Sequence, residues 1–479
     1  MSLSLLIILP LVTSMLVLLF KQVRVVALAG ALLQLLFACW LLTQPFTSLE
    51  ENHTWFAALK IHYHIGVDGI SMAMILLTAF VTVAGVLVSW RMEKLNKEFF
   101  FLLMLLSAGA YGFFISLDLF TMFFFLEVAV IPKFLLIGIW GSGRKEYSAM
   151  KLALMLMGGS AVVFVGLAGL YFATGSFDMV QMSQSPVATH VQMLFFPFAF
   201  IGFGIFSALF PFHTWVPDGH SSAPTAASMF LAGISMKLGG YGCLRVATYL
   251  MPDAAHAYAW IIIILATIAI VYGAFATMMQ TDLKYINAYS SVSHCGFVLL
   301  GIGMLTKTAI TGAVLQMVSH GLMTALFFAA IGMLYDRTHT REVARLGGLL
   351  KVMPFISTAF VLAGLCSLGL PGLSGFVAEV TVLMGSWEQA GQWYRLATIL
   401  ACASIVVTAV YILRAMGKVI MGPLQTNQTI VVDARWYEKG AAALLIVGIV
   451  LMGVAPFWLN DLIGPGIDNM INKILTYAR

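Results

Sequence analysis

Charged side chains interrupt three apolar segments of this 479-residue chain: Glu127 in FFFLEVAVIP, Lys237 in LAGISMKLGGYG and Glu379 in SGFVAEVTVL. An ionised side chain at the centre of a bilayer costs about 2.5–3.5 kcal/mol on insertion scales, so such a group usually marks an ion or proton pathway. Carboxylates and amines that lie near one another also alter each other's affinity for protons. We therefore expect proton transfer, and the alternative that these groups only fix helix packing stays open.

Four histidines lie in the same kind of segment and exchange protons near neutral pH. His320 in VLQMVSHGLMTALFF and His294 in AYSSVSHCGF are surrounded by small and hydroxyl residues that can order water. His213 and His220 belong to PFHTWVPDGHSSAPT, where they serve either the structure or an entry path for protons. A lone histidine on an apolar helix can also be a packed core residue, and this interpretation stays open for each of them.

The sequence lacks the motifs that bind cofactors. Its five cysteines are scattered singly, without the CxxC or CxxH spacing that holds zinc, haem or an iron–sulfur cluster. It has neither a Walker loop nor a dinucleotide-binding GxGxxG. His62 and His64 in KIHYHIG are interpreted as a solvated loop pair. We expect no cofactor and no metal on this chain, no nucleic-acid partner, and dependence on an ion gradient or on partner subunits for energy.

The composition defines the class of protein that must position these residues. Hydrophobic residues make up 61% of the chain and charged residues 9%, and the mean hydropathy is +0.98. A soluble chain could not hide that much apolar surface from water, so the sequence predicts an all-α polytopic membrane protein. With about 20 residues per span, we place about fourteen helices, near 3–20, 24–43, 68–90, 99–117, 118–140, 151–174, 191–217, 222–249, 256–278, 285–304, 308–334, 352–391, 395–416 and 437–460.

The basic residues support this helix count. Most of the 25 Lys and Arg residues fall in the loops that follow odd-numbered predicted helices. Positively charged loops remain in the cytoplasm, so the pattern predicts that both termini face outward. The first apolar stretch has no basic residue before it and no cleavage site, so we interpret it as a retained helix and not as a signal peptide.

Two predicted spans contain helix breakers. Pro211, Pro217 and Pro224 interrupt 191–249, and LGLPGLSG interrupts 352–391, so predicted helices 7 and 12 should be broken. Interrupted helices in comparable places are typical of inverted-repeat transporters. The predicted division is N-terminal helices 1–3 in 1–98, a first five-helix repeat in 99–249, a second in 256–416, and helix 14 with a C-terminal tail in 417–479.

Three strings resemble a known family: LEVAVIPKFLLIGIWG, FPFHTWVPDGHSSAPTAASMFLAGISMKLGGYGCLRV, and QTDLKYINAYSSVSHCGFVLLGIG continuing to LQMVSHGLMTALFF. They are similar to the antiporter-like membrane subunits of respiratory complex I, the proton-translocating NADH:quinone oxidoreductase, over roughly residues 65–420. The C-terminal region lacks the long lateral helix of the L-type relatives, which favours the M type.

This resemblance implies that Glu127, Lys237, His320 and Glu379 are members of a hydrated polar axis that moves protons. It also implies that FMN, iron–sulfur clusters and quinone are on partner subunits. The expected neighbours are L-, N- and K-type subunits of the membrane arm, in a bacterial plasma membrane.

One position departs from the family pattern. The resemblance leads us to expect a lysine in helix 7 as the partner of Glu127, but that position is Phe206. Lys133, six residues after Glu127, stands where the family often has an apolar residue. We hypothesise that Lys133 takes over the cationic role; the alternative is that its amine extends to the membrane surface.

Other functions also fit the sequence. The same fold serves Mrp-type sodium/proton antiporters and energy-converting hydrogenases, and a non-conducting structural spacer would tolerate Phe206. The sequence does not define the electron donor, the quinone, or the choice between H+ and Na+.

Overall fold

Helices dominate the computed structural model, which describes residues 2–185, 187–424 and 432–476. Before the first break they are α1 (Leu5–Leu19), α2 (Val23–Leu41), α3 (Gly69–Val88), α4 (Asn96–Ile115), α5 (Leu119–Trp140), α6 (Lys145–Thr174), α7 (Met179–Gln184) and α8 (Thr189–Phe206). Backbone polar groups have no water to bind in a bilayer, so these apolar segments satisfy them within helices.

The remaining helices follow the first break. They are α9 (Trp215–Ser222), α10 (Thr225–Phe230), α11 (Met236–Gly242), α12 (Pro252–Met278), α13 (Leu283–Gly303), α14 (Lys307–Thr338), α15 (Pro354–Ser367), α16 (Ser374–Trp387), α17 (Gln392–Met416), α18 (Trp436–Val454) and α19 (Phe457–Thr476). Ten helices of the described chain are long and apolar enough to cross a membrane. The predicted all-α polytopic class is confirmed, while the count of fourteen spans and the two inverted repeats stay predictions.

Both predicted breaks are present. Helix α8 ends at Phe206, well before the predicted boundary at 217, and a short 3-10 turn, Phe212–Thr214, precedes α9. The second break separates α15 from α16 over residues 368–373. Gly369 and Gly372 have positive φ there, a conformation that suits glycine and ends the preceding helix. Proline and glycine therefore unwind the backbone at the two places that the sequence indicated.

Helices α3 and α14 form the centre of the bundle. In their most apolar stretches, 94% of the α3 residues and 100% of the α14 residues are buried. Helices α2, α17 and α18 bury only 39% of theirs, so they present apolar side chains outward. This difference places His320, on α14, in the interior, and it leaves an apolar belt suited to lipid contact.

A two-stranded sheet lies at one end of the bundle. Strands β1 (Glu51–Phe56) and β2 (Ile61–Ile65) pair antiparallel between α2 and α3. We call this end the hairpin face. The opposite end, the basic face, carries loops rich in Lys and Arg. There, Lys94 from a loop and Lys145 at the start of α6 both donate to the carbonyl of Ile139.

The hairpin corrects the expectation of a solvated loop at His62 and His64. His64 is only 2% exposed. Its Nε2 lies 2.7 Å from Glu50 Oε1 and its Nδ1 lies 2.9 Å from Asp178 Oδ2. The ring therefore joins the hairpin to the segment that leads into α7.

Candidate functional site

Lys237 lies in a helix whose geometry is irregular on both sides. A π-helical segment, Leu231–Ser235, precedes α11, and a second one, Cys243–Thr248, follows it. Such π segments often occur at functional sites, because they leave carbonyl groups free of regular bonding. The amine of Lys237 donates a hydrogen bond to the carbonyl of Ala232, at the first of these segments. Lys237 is 1% exposed, so this cation is held inside the bundle.

The amine of Lys237 also contacts the first of two adjacent histidines. Its Nζ lies 2.8 Å from Nδ1 of His320, which belongs to the central helix α14. The ring centroids of His320 and His294 are 5.4 Å apart. Nε2 of His320 is buried without a hydrogen-bond partner among the described residues. This nitrogen is free to receive or release a proton through water or after a ring rotation.

His294 connects this pair to Glu379. Its Nδ1 lies 3.1 Å from Oε1 of Glu379, and its Nε2 lies 3.0 Å from the hydroxyl of Ser367. Both His294 and Glu379 are almost completely buried. The structure thus brings Lys237, His320, His294 and Glu379 into one continuous line, which we call the axial relay.

Glu379 is reached by the backbone of the second break. A Cβ atom added at Gly369, where φ is +75°, would lie 2.9 Å from Oε2 of Glu379. The unwound segment therefore passes directly beside the carboxylate. The hydroxyl of Tyr411, a residue that sequence reasoning missed, is buried in the same region and interacts with the charge of Glu379. An isolated tyrosine in an apolar helix gives no signal that could have identified it.

Glu127 and Lys133 form a second polar group on α5. Oε1 of Glu127 and Nζ of Lys133 are both buried without a hydrogen-bond partner among the described residues. The two residues interact electrostatically, but they make no ion pair within 4.0 Å. Burying a charge that has no partner costs free energy. The ionised form of this site therefore requires polar neighbours or water.

Lys133 does not extend to the membrane surface. It is 1% exposed, and its Nζ lies 5.9 Å from the ring centroid of Phe206, at the end of α8. The amine therefore lies beside the very residue that stands in place of the expected lysine. A cation over an aromatic face is attracted by the ring quadrupole, which offsets part of the cost of burial.

His213 and His220 lie in and just after the first break and make no hydrogen bond to the residues of the axial relay within the described chain. His213 is packed against Phe210 and Tyr272, with ring centroids at 5.5 and 4.9 Å. His220, on α9, is fully buried, stacks on Phe328 at 5.4 Å, and has no hydrogen-bond partner on either ring nitrogen within the described part of the chain. It lies close enough to Lys237 to interact with its charge.

Sequence reasoning also missed an acidic group at the basic face. Asp218, in α9, lies 2.7 Å from Nζ of Lys151 and accepts a 3.1 Å hydrogen bond from the hydroxyl of Tyr285. Its position in the sequence could have identified it, because Asp218 directly follows Pro217 in the string that contains His213 and His220. Asp218 and His220 both belong to α9, and His220 interacts with the charge of Lys237 in the axial relay.

The arrangement is suited to proton transfer through side chains that alternate between donor and acceptor. A neutral imidazole accepts a proton at one nitrogen and releases one from the other, and a lysine or glutamate at each end can store the charge. Within the described residues, no three His, Cys, Asp or Glu side chains converge as metal ligands.

Comparison with known proteins gives consistent matches. The family described as NADH:quinone oxidoreductase/Mrp antiporter, TM, matches residues 116–408. The NADH-quinone oxidoreductase subunit M of Rickettsia bellii is 34% identical and covers 98% of both chains. The NAD(P)H-quinone oxidoreductase chain 4 2 of Microcystis aeruginosa is 38% identical over 88% of this chain and 79% of its own.

Solved structures show the same fold. Respiratory complex I from Thermus thermophilus with bound NADH contains a chain with a TM-score of 0.93 and 26% identity, which covers 99% of this chain and 100% of its own. The Mrp complex from a Dietzia species contains a chain with a TM-score of 0.85 and 20% identity, covering 99% of both chains, a likeness of fold alone.

Proposed function

Because this chain belongs to the NADH:quinone oxidoreductase/Mrp antiporter transmembrane family, we propose that it moves protons along the axial relay from Lys237 to Glu379. It is an antiporter-like membrane subunit of an NADH:quinone oxidoreductase, and its partners are other membrane-arm subunits. We propose further that these membrane-arm partners include L-, N- and K-type subunits. The redox chemistry, with FMN, iron–sulfur clusters and quinone, belongs to partner chains.

The observation that carries the proposal is the buried succession from Lys237 to Glu379: Lys237 contacts His320, the ring of His320 lies 5.4 Å from that of His294, and His294 contacts Glu379. Packing alone gives no reason to align four titratable groups inside a membrane bundle, because each costs free energy to bury. When a partner subunit changes the charge at one end, the proton affinity of each neighbouring group changes in turn. A proton then shifts along the line.

We further propose that Lys133 serves as the cationic partner of Glu127. Its burial, its place beside Phe206 and its interaction with Glu127 support this role. Protons enter from the basic face, past Asp218 and His220, with His213 as a structural neighbour of that path. The excess of basic residues makes this face cytoplasmic in a bacterial plasma membrane, with both termini outside.

A substitution of His294 tests the relay. His294→Leu keeps the volume but interrupts the line between His320 and Glu379, so proton pumping coupled to quinone reduction should fall by about tenfold or more. The matched control is His190→Leu, because His190 is exposed at the start of α8. Pumping is measured in proteoliposomes that contain the assembled complex. Equal pumping by both variants would contradict the proposal.

An Mrp-type antiporter subunit is the second candidate, since the family is shared by both assemblies. Purification of the complex distinguishes them: co-purifying flavin and iron–sulfur subunits support the oxidoreductase. Their absence from an intact assembly would favour the antiporter.

A further inference from the structure

A cavity of about 870 Å³ lies at the hairpin face, bordered by the N-terminus of α3, the segment before β1, and helices α7 and α19. The charged residues of its lining are Glu50, Asp68, Arg245 and Asp461. Three acidic groups and one basic group attract cations, including protons, from the surrounding solution. Neither the axial relay nor the entry path from the basic face uses this cavity.

Arg245 and Asp68 form an ion pair in the cavity wall. Nη2 of Arg245 lies 2.6 Å from Oδ2 of Asp68, and their side chains are 12% and 29% exposed. Nε of Arg245 is buried and has no hydrogen-bond partner in the described chain. Part of the guanidinium therefore faces inward and part faces the cavity.

The structure holds Asp68 firmly in place. Its Oδ1 accepts a 2.9 Å hydrogen bond from the backbone of Ser71 and caps α3. The next residue, Gly69, approaches α19 so closely that a Cβ there would lie 1.7 Å from the carbonyl of Leu462. The carboxylate that orients Arg245 is thus anchored by two helices.

Arg245 lies in the π-helical segment that continues α11, eight residues after Lys237 and toward the hairpin face. Tyr241 lies between them. The guanidinium carbon is 5.8 Å from its ring centroid, and its hydroxyl donates a 3.0 Å hydrogen bond to the carbonyl of Phe114. One fixed positive charge and one buried aromatic ring therefore separate the cavity from the relay lysine.

We propose that Arg245, oriented by Asp68, is an electrostatic seal that prevents protons from moving between the cavity and Lys237. The inference rests on the proposed function, because a seal is needed only where Lys237 carries protons. A guanidinium remains charged at any physiological pH and repels protons and other cations at a narrow point. Tyr241 fills the space that a water chain would need.

The proposed seal is tested in a complex that is not transferring electrons. The assembled complex is reconstituted in proteoliposomes without an electron donor, and passive proton flux is followed with an internal pH dye after a pH difference is imposed. Arg245→Met removes the charge at similar length, and we expect flux at least about tenfold above that of the unaltered complex. Arg245→Lys keeps a charge and should remain tight. Adding Lys237→Met to Arg245→Met should abolish the extra flux if protons pass through the lysine.

A second variant, Asp68→Asn, keeps the proposal testable if Arg245→Met fails to fold or assemble. Asp68→Asn preserves a good helix cap but removes the ion pair that holds the guanidinium in place, so the side chain can leave the narrow point and the flux should rise, though less than in Arg245→Met. An assembled Arg245→Met complex that is as tight as the unaltered one would overturn the seal. The same holds if Arg245→Met fails to assemble and Asp68→Asn is tight. If His294→Leu loses pumping and the Arg245→Met complex is tight to protons, only the proposed seal is contradicted. The proposed relay is then still supported.

Discussion

At the scale of single residues, the central fact is that Lys133 lies against Phe206. The family pattern led us to expect a lysine at 206, and the structure places a buried amine 5.9 Å from that ring. A buried amine of α5 thus lies beside the position at the end of α8 where the family pattern has its lysine. A relay depends on where a charge lies and not on which helix supplies it.

A charge swap tests this relocation. Lys133→Leu removes a buried amine that makes no hydrogen bond among the described residues, so the complex should remain stable while coupled proton transfer falls by about tenfold or more. Lys133→Leu combined with Phe206→Lys restores the lysine that the family carries and should recover most of the lost activity. Proton uptake during quinone reduction is the measurement. A double variant no better than Lys133→Leu would show that position 206 cannot host the charge, and normal activity in Lys133→Leu would exclude its role.

At the scale of elements, the β1–β2 hairpin contains a pH-dependent clamp. Hydrogen bonds and charge interactions with Asp178 and Glu50 outweigh desolvation and raise the pKa of His64 above its usual value. Hydrogen bonds from His64 and from the backbone outweigh desolvation and lower the pKa of Asp178. Both shifts favour the ionised pair in the folded protein.

The sign of the pH effect follows from these two directions. A raised histidine pKa gives stability that is fully present below about pH 6.5 and lost as the pH rises through the folded pKa. A lowered aspartate pKa gives stability that is present above about pH 3.9 and lost as the pH falls through the folded pKa. The clamp should therefore be strongest between about pH 4 and 6.5.

Hydrogen exchange at the hairpin measures this clamp. We expect His64→Gln to lower the opening free energy of the β1–β2 amides by about 1–2 kcal/mol at pH 6 and by less at pH 9. Rates are corrected for the intrinsic pH dependence of exchange. His62→Gln is the control, because the side chain of His62 is hydrogen-bonded to Asn52 of the neighbouring strand and makes no ion pair with a carboxylate in the described chain. An effect of His64→Gln that is equal at both pH values would contradict the clamp.

Elements also show the limits of sequence reasoning. The two helix breaks could be predicted because proline and glycine act locally. The hairpin was not predicted: Ile61–Ile65 alternates apolar and polar residues as a half-buried strand does, but Glu51–Phe56 does not, so the pairing of two strands gave no clear signal. His64 was therefore assigned to solvent, although tertiary contacts with Asp178 bury it.

At the scale of the whole molecule, the membrane explains why so much was predictable. A charge such as Lys237 or Glu379 stands out against apolar sequence, since a bilayer penalises it. The sequence gives no comparable signal for the rotation of each helix about its axis. His294 was thus absent from the polar axis that the resemblance implied, although its Nδ1 lies 3.1 Å from Glu379, and Tyr411 was not identified at all.

The proton-to-electron ratio of a Lys237→Met complex tests the central claim most directly. Lys307→Met is the matched control, because Lys307 is exposed and pairs with Asp468 at the surface. With both complexes assembled and reducing quinone, we predict that Lys237→Met moves fewer protons per electron, while Lys307→Met keeps the unaltered ratio. An unchanged ratio in Lys237→Met would contradict the relay and would identify the chain as a non-conducting spacer.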